Sequence, residues 1–225
     1  MSLIRTVKYN CPRCKQEAET TIYDSINVSL DPDLKDKLMK GHFFNVKCPH
    51  CHKEITLPYG FIYHDMGKKL MLFFSPYQKN EAEEAGEEGF DVQSLLSNAR
   101  FKDYTYRDVH GEMRLREKIQ IADAGFNDIA IEFIKLSFKT NNEELLNYNL
   151  YFWGITPENE LQFLAISTKR RSKKDSILTY ALDEFKKLSD ALKTREELKV
   201  PAGVIEEVDE EWMIKHVIQF GKEAE

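Results

Sequence analysis

The chain has four cysteines, all in one C-x2-C-x33-C-x2-C pattern made of 11-CPRC-14 and 48-CPHC-51. This pattern constrains the fold more than any other feature. If the pairs act together, the 33 residues between them must leave the first pair and return to it. A Cys-Pro-x-Cys can be a thiol–disulfide active site or half of a metal site. Two tight pairs in a chain of 225 residues do not resemble a secreted disulfide scaffold.

A redox site needs one pair at the start of a helix, whose N-terminus lowers a thiol pKa. Neither pair has that context. The alternation in 54-EITLPYG-60 after the second pair is hairpin behaviour, and 15-KQEA-18 after the first carries no apolar helical stripe. A zinc ribbon accounts for both pairs. Each then sits in a tight turn between strands, and together they supply four thiolates to one ion. The expected ligands are Cys11, Cys14, Cys48 and Cys51, with one structural Zn2+ in a closed shell that leaves no position for catalytic water. Small ribbons often place glycine after the second cysteine of each knuckle, where this chain has Lys15 and His52. Redox chemistry and unligated cysteines remain competing readings. So does substitution of a cysteine by His50 or His52, although His50 more naturally points outward or toward a sulfur.

The 33-residue excursion has its own pattern. Residues 20–30 read as a strand, with Ile26, Val28 and Leu30 on one side. In 31-DPDLKDKLMKG-41, Asp31 is placed to cap, Pro32 suits the first helical turn, and Leu34, Leu38 and Met39 form a stripe. Residues 43-FFNVK-47 lead as a strand into the second pair, and 61-FIYHD-65 with 69-KLMLFFS-75 predicts a hairpin.

These residues resemble the CpXC family, bacterial and archaeal proteins named for paired Cys-Pro-x-Cys motifs. The resemblance rests on 11-CPRC-14 and 48-CPHC-51, on 31-DPDLKDKLMKG-41 between them and on 58-PYGFIYHD-65 after. It covers about residues 8–76 and continues through 113-MRLREKIQIADAGFNDIAIEFIKL-136. It implies a metal-binding N-terminal module and carries no activity with it.

Beyond Pro76, the acidic run 80-NEAEEAGEEG-89 predicts an exposed linker. Residues 112–125 predict a helix ending at Gly125, and Asn127 or Asp128 starts another. A hairpin is expected from 149-NLYFWGI-155 and 160-ELQFLAIS-167. Asp175 is expected to cap a helix running to about Lys193, with Ile177, Leu178, Ala181, Leu182, Phe185 and Leu188 on its buried face. A last helix starts near Asp209 and uses Trp212, Val217 and Ile218. The fold class is α+β: a zinc-ribbon-like module over 1–78 with an inserted helix, a linker over 79–90, and a mixed helical and hairpin region over 91–225.

Charge and polar motifs narrow the function less. Residues 1–78 hold 11 Lys/Arg against 8 Asp/Glu, and the remainder holds 21 against 30, for a net charge of −6. An acidic chain argues mildly against a broad nucleic-acid surface. Lys8, Arg13, Lys15, Lys47 and Lys53 nevertheless surround the knuckles, and 169-KRRSKK-174 forms a second basic patch. Tyr9, Phe43 and Phe44 could stack on bases if exposed, although a small module needs Phe43 and Phe44 for its core. There is no HExxH, phosphate loop, GxSxG or dinucleotide fingerprint.

His64 and Asp65 are adjacent, so a strand sends them to opposite faces. Asp108, His110 and Glu112 read as polar loop content, and His216 as a packing or surface residue. Glu112, Glu117 and Asp123, with Arg114, Arg116 and Lys118 among them, read as a solvated, charge-compensated helix face. The expectation is a non-catalytic, zinc-stabilised protein acting on a protein partner. The alternatives are a nucleic-acid-associated module and an enzyme whose site lies in the C-terminal region. No apolar run reaches membrane-spanning length, and the N-terminus lacks the apolar core of a signal peptide, so the expected location is the cytoplasm.

Overall fold

The computed structural model describes residues 2–77, 95–96, 98–169 and 175–223. The expected acidic linker over 79–90 and residues 170–174 of the second basic patch lie outside the described residues. The chain forms two compact units. The first is Met1–Glu112 with Ala202–Ile205, and the second is Met113–Pro201 with Glu206–Glu225.

The first unit is built on a five-stranded sheet of β1 (Leu3–Asn10), β2 (Glu17–Asn27), β5 (Phe61–Asp65), β6 (Leu70–Ser75) and β7 (Thr105–His110), in the order β1-β2-β5-β6-β7. The β1–β2 and β5–β6 pairs are antiparallel, whereas β2–β5 and β6–β7 are parallel. Parallel neighbours need a crossover. The one between β2 and β5 carries α1 (Pro32–Met39) and a separate two-stranded ribbon, β3 (Asn45–Lys47) with β4 (Glu54–Thr56).

Strand alternation sorts the core of this unit. Phe61 and Tyr63 are buried on one face of β5, where the rings of Phe61, Phe74 and Phe44 lie with centroids 5.3–6.2 Å apart. Met71, Phe73 and Tyr106 point the other way, and Ile62, Leu95, Leu96, Phe101, Tyr104 and Ile205 pack around them. Phe44 is buried and Phe43 half-buried within an aromatic cluster, so their rings serve the core.

Several local expectations change. Strand β2 stops at Asn27, because the Asn27 side chain accepts the Ser29 N–H and turns the chain. Leu30 is therefore exposed. Asp31 occupies the N-cap of α1 but makes no capping bond, since its carboxylate accepts the Ser2 hydroxyl. Pro32 and Gly41 act as expected: the proline sits in the first turn, and the glycine takes φ +76° after the helix. Strand β7 contains Asp108 and His110, which were expected in a loop. Its charged residues hide its strand pattern, and pairing with β6 decides it.

The second unit places α2 (Glu112–Asp123), α3 (Asp128–Asn141), α4 (Leu182–Lys193) and α5 (Glu210–Glu223) with a sheet of order β10-β9-β8. These strands are β8 (Tyr148–Ile155), β9 (Glu160–Ser167) and β10 (Ser176–Ala181). Phe152, Leu161 and Phe163 from the sheet pack with Ile121, Ala130, Ile131, Ile134 and Phe185 from the helices. A bulge after Phe152 uses Gly154 at φ +146°, a conformation that side chains disfavour. Asn127 caps α3, and Asp209 accepts the Trp212 N–H at the start of α5.

The helix expected from Asp175 begins only at Leu182. Residues 176–181 form β10 instead, paired with β9 from Ser176↔Ala165 to Ala181↔Glu160. The stretch SILTYA is rich in β-branched and aromatic residues. Its inward residues Leu178 and Tyr180 complete the sheet face, leaving Ile177 exposed. No helix among the described residues is long and apolar enough to cross a membrane.

Candidate metal centre

Each Cys-Pro-x-Cys forms the turn of a hairpin. The first turn lies between the pairs Asn10↔Glu17 of β1–β2, and the second between Lys47↔Glu54 of β3–β4. Both turns span six residues and share one backbone pattern. The Cys11 N–H donates to the Gln16 carbonyl and the Lys15 N–H to the Cys11 carbonyl; the Cys48 N–H donates to Lys53 and the His52 N–H to Cys48, all at 2.9–3.0 Å. Closing so short a loop forces one residue into the left-handed region. Those residues are Lys15 at φ 62° and His52 at φ 57°, the two positions where glycine was expected.

The hairpins bring the four sulfurs together. Cys11, Cys14, Cys48 and Cys51 offer ligand atoms that all lie within 4.8 Å of one another. Cys11 and Cys51 sulfurs are 3.9 Å apart, Cys14 and Cys48 sulfurs 3.8 Å, and all four cysteines are free. A tetrahedron with metal–sulfur bonds of ~2.3 Å has edges of about 3.8 Å. The two sulfur pairs match that edge, and the set as a whole fits a tetrahedral thiolate metal shell. Cys11 and Cys48 are wholly buried, whereas Cys14 and Cys51 are half-buried.

The electrostatics favour a cation at this point. The Cys14 N–H, joined by that of Arg13, stabilises the Cys11 thiolate against the cost of burial and lowers that thiol to about 6. The Gln16 N–H favours the Cys14 thiolate, but burial and the neighbouring sulfurs outweigh it and push that thiol up to about 11. The Cys11 thiol thus gives up its proton readily, whereas Cys14 holds its own. A central divalent ion removes the repulsion and lets all four ionise.

Tyr9 packs directly on this cluster, with Ala18, Ile55, Cys11 and Cys48. Its hydroxyl is buried and has no hydrogen-bond partner of good geometry among the described residues. Such a hydroxyl costs roughly 1–3 kcal/mol. Burial first, then the sulfurs with Cys48 foremost, raise its pKa, so the phenol keeps its proton.

The histidines stand aside from the sulfurs. His50 points away and its Nε2 lies 3.0 Å from the Glu17 carbonyl, linking the second knuckle to the start of β2. His52 is exposed at the left-handed position. Lys8 pairs with Glu17, whereas Arg13, Lys15, Lys47 and Lys53 make no ion pair among the described residues. A recess of about 420 Å3 beside the first knuckle is lined by Pro12, Arg13, Glu54, Ile55 and Thr56, and Glu54 is already held by Asn45.

The other polar candidates do not assemble into an acid–base site. His64 bonds the Tyr104 hydroxyl at 3.2 Å and is lowered by burial, while Asp65 accepts the Lys68 N–H. Both ring nitrogens of His110 are engaged, Nδ1 by the Tyr77 carbonyl and Nε2 by Asp108. His216 stacks on Trp212 at 3.8 Å, as a packing residue would.

The face of α2 expected to be solvated is instead partly interior. Glu117 and Lys118 are only 2% and 7% exposed. Glu117 accepts Lys135 of α3 and also the backbone N–H of Phe152 at the bulged sheet edge. Lys118 reaches Asp128 and the Val208 carbonyl. Its charges compensate, as expected, but inside the unit. Glu117 and Lys135 lie 18 positions apart on separate helices, and each pattern alone reads as surface charge.

Residues 9–135 match the model of a family described as CpXC protein. No curated protein matches the chain, and no solved structure does.

Proposed function

The chain belongs to the CpXC family, and we propose that it is a non-catalytic protein whose N-terminal module is held by one structural zinc ion and presented to a protein partner. The observation that carries this reading is the closed set of four sulfurs within 4.8 Å. Four protein ligands complete a tetrahedral shell and leave no position for a reacting water. Bound zinc supplies charge neutralisation and a cross-link. The chain's own residues do the rest: β1–β2 and β3–β4 hold the sulfurs in place, the knuckle N–H groups stabilise thiolate charge, and His50 joins the knuckles through Glu17.

The cations Arg13, Lys15, Lys47 and Lys53, which make no ion pair among the described residues, are the feature that favours a nucleic-acid reading. A divalent ion with four thiolates carries a charge of −2, and these side chains surround it. Much of their charge is thereby offset before any phosphate approaches, which makes a protein partner the better reading.

Elemental analysis of reduced, chelator-free chain, with a thiol count after denaturation, tests the proposal. About one zinc per chain with four thiols is expected. Cys48→Ser should lose the zinc and destabilise the first unit, because thiolate ligation contributes folding energy. Unchanged zinc content and melting in that variant would remove the proposed centre. A metal-free chain isolated with intact disulfides would instead restore the redox reading.

A further inference from the structure

The two knuckles are built alike, but their supports differ at one position. The residue two before the first cysteine is Tyr9 in the first knuckle and Val46 in the second. Both pack on the sulfur cluster, yet only Tyr9 brings a polar atom; that hydroxyl is buried, with no hydrogen bond of good geometry among the described residues, and Cys48 is the sulfur that acts on it most. A neutral thiol accepts a hydrogen bond weakly, whereas a metal-bound thiolate accepts one strongly. An unpartnered donor beside Cys48 in a thiol cluster becomes a satisfied one once that sulfur carries charge.

We propose that Tyr9 is a positioning residue for the metal centre, its hydroxyl donating to the Cys48 sulfur when the ion is bound. The inference rests on the zinc reading above and deepens it. Cys11 and Cys48 are equally buried, so burial alone gives them the same reactivity. The Tyr9 donor acts on Cys48 in addition to the knuckle N–H groups. It withdraws electron density from that sulfur and makes Cys48 less nucleophilic than it would be without the hydroxyl. A hydrogen bond of this kind orients the ligand, strengthens the site and tunes its electronic transitions.

The test compares full-length wild type with Tyr9→Phe, which keeps the ring and removes only the hydroxyl. Each chain is loaded with cobalt(II) for spectroscopy and with zinc(II) for competition against a chromophoric chelator. Alkylation of the zinc-bound chains is then followed cysteine by cysteine by mass spectrometry. In wild type, the alkylation rate at Cys48 sets the reference. In Tyr9→Phe the sulfur-to-cobalt charge-transfer band should move to lower energy. Zinc affinity should fall about tenfold, and Cys48 should lose its protection.

Tyr106→Phe serves as the control for losing a buried hydroxyl elsewhere in the unit, since Tyr106 donates to the Phe101 carbonyl at 2.7 Å. It should lower stability and leave the cobalt band in place. A wild-type chain without a thiolate–cobalt band overturns both the zinc reading and this one. A normal band that Tyr9→Phe leaves unmoved overturns this one alone, as does Cys48 alkylating at the wild-type rate in that variant. A thiolate–cobalt band in the variant shows that its centre still forms.

Discussion

The left-handed residues at the knuckles allow a quantitative test of how the turns are held. Lys15 and His52 sit at φ 62° and 57°, and each closes a six-residue turn through the same pair of backbone bonds. A residue with a Cβ costs roughly 1–2 kcal/mol in this conformation. Glycine removes that cost but loses more conformational entropy on folding, about 0.5–1 kcal/mol. The net gain for Lys15→Gly or His52→Gly is therefore about 0.5–1 kcal/mol each, a rise of roughly 2–6 °C in the melting of the first unit. The two gains should add incompletely, because both turns feed one cluster.

Thermal and denaturant unfolding of the zinc-loaded chain measures the effect, with Lys15→Ala and His52→Ala as references that delete the side chain and keep the Cβ. Stability should rise from alanine to glycine at both positions. If glycine is no more stable than alanine at both sites, the left-handed strain is not what limits these turns and the reasoning is wrong.

Two further outcomes follow from buried polar groups. Glu117→Ala should destabilise the second unit by about 3–5 kcal/mol, since it strips Lys135 of one partner and the Phe152 N–H of its acceptor. Glu117→Gln should cost less, and hydrogen exchange should show the Phe152 amide still protected in Gln but open in Ala; equal exchange in both would refute the assignment. Burial pushes the Tyr59 phenol up to about 12. Its folded pKa lies above the unfolded value near 10, so the folded state holds its proton longer. Stability is then fully present below pH 10 and declines as pH rises toward 12. Ultraviolet titration should find Tyr59 among the late-ionising buried tyrosines, with Tyr9, Tyr104, Tyr106 and Tyr151, and Tyr59→Phe should shrink that late phase by one phenol. A titration in which the variant loses an ordinary phase instead would contradict the assignment.

The cysteine centre was legible because its information is local. Each knuckle declares itself within four residues, and the strand, capped helix and strand between them show how the chain returns. Even the departure from glycine at Lys15 and His52 pointed to the positions that carry positive φ. What stayed hidden depends on partners distant in sequence. Residues 176–181 carry apolar positions compatible with a helix, and only β9 alongside makes them a strand. Strand β7 mixes Arg107 and Asp108 into its run, and its partner β6 lies about thirty residues back. Glu117 looks like any charge on a helix until Lys135 and the bulge at Phe152 surround it. Tyr9 gave no local sign that its hydroxyl would meet a sulfur from the other knuckle. The signal was its offset of two from a cysteine, on the inward side of a strand.

The separation of the knuckles also has a temporal side. Translation delivers Cys11 and Cys14 first, with 33 residues still to be made between Cys14 and Cys48. At ~5–20 residues per second, the first hairpin waits on the order of a few seconds with two of its four ligands. During that interval the neighbouring thiols of 11-CPRC-14 can close on each other if an oxidant arrives before the second pair. Joining the pairs later closes a long loop. The same closure made by a covalent cross-link would stabilise the fold by about 4 kcal/mol through lost freedom of the open chain. That loop contains α1, and β2 joins β5 through only three residue pairs, Ser25↔Ile62 to Asn27↔His64. Phe61, the first residue of β5, follows Cys51 by ten positions, so both cysteine pairs have been made before that short sheet junction can close.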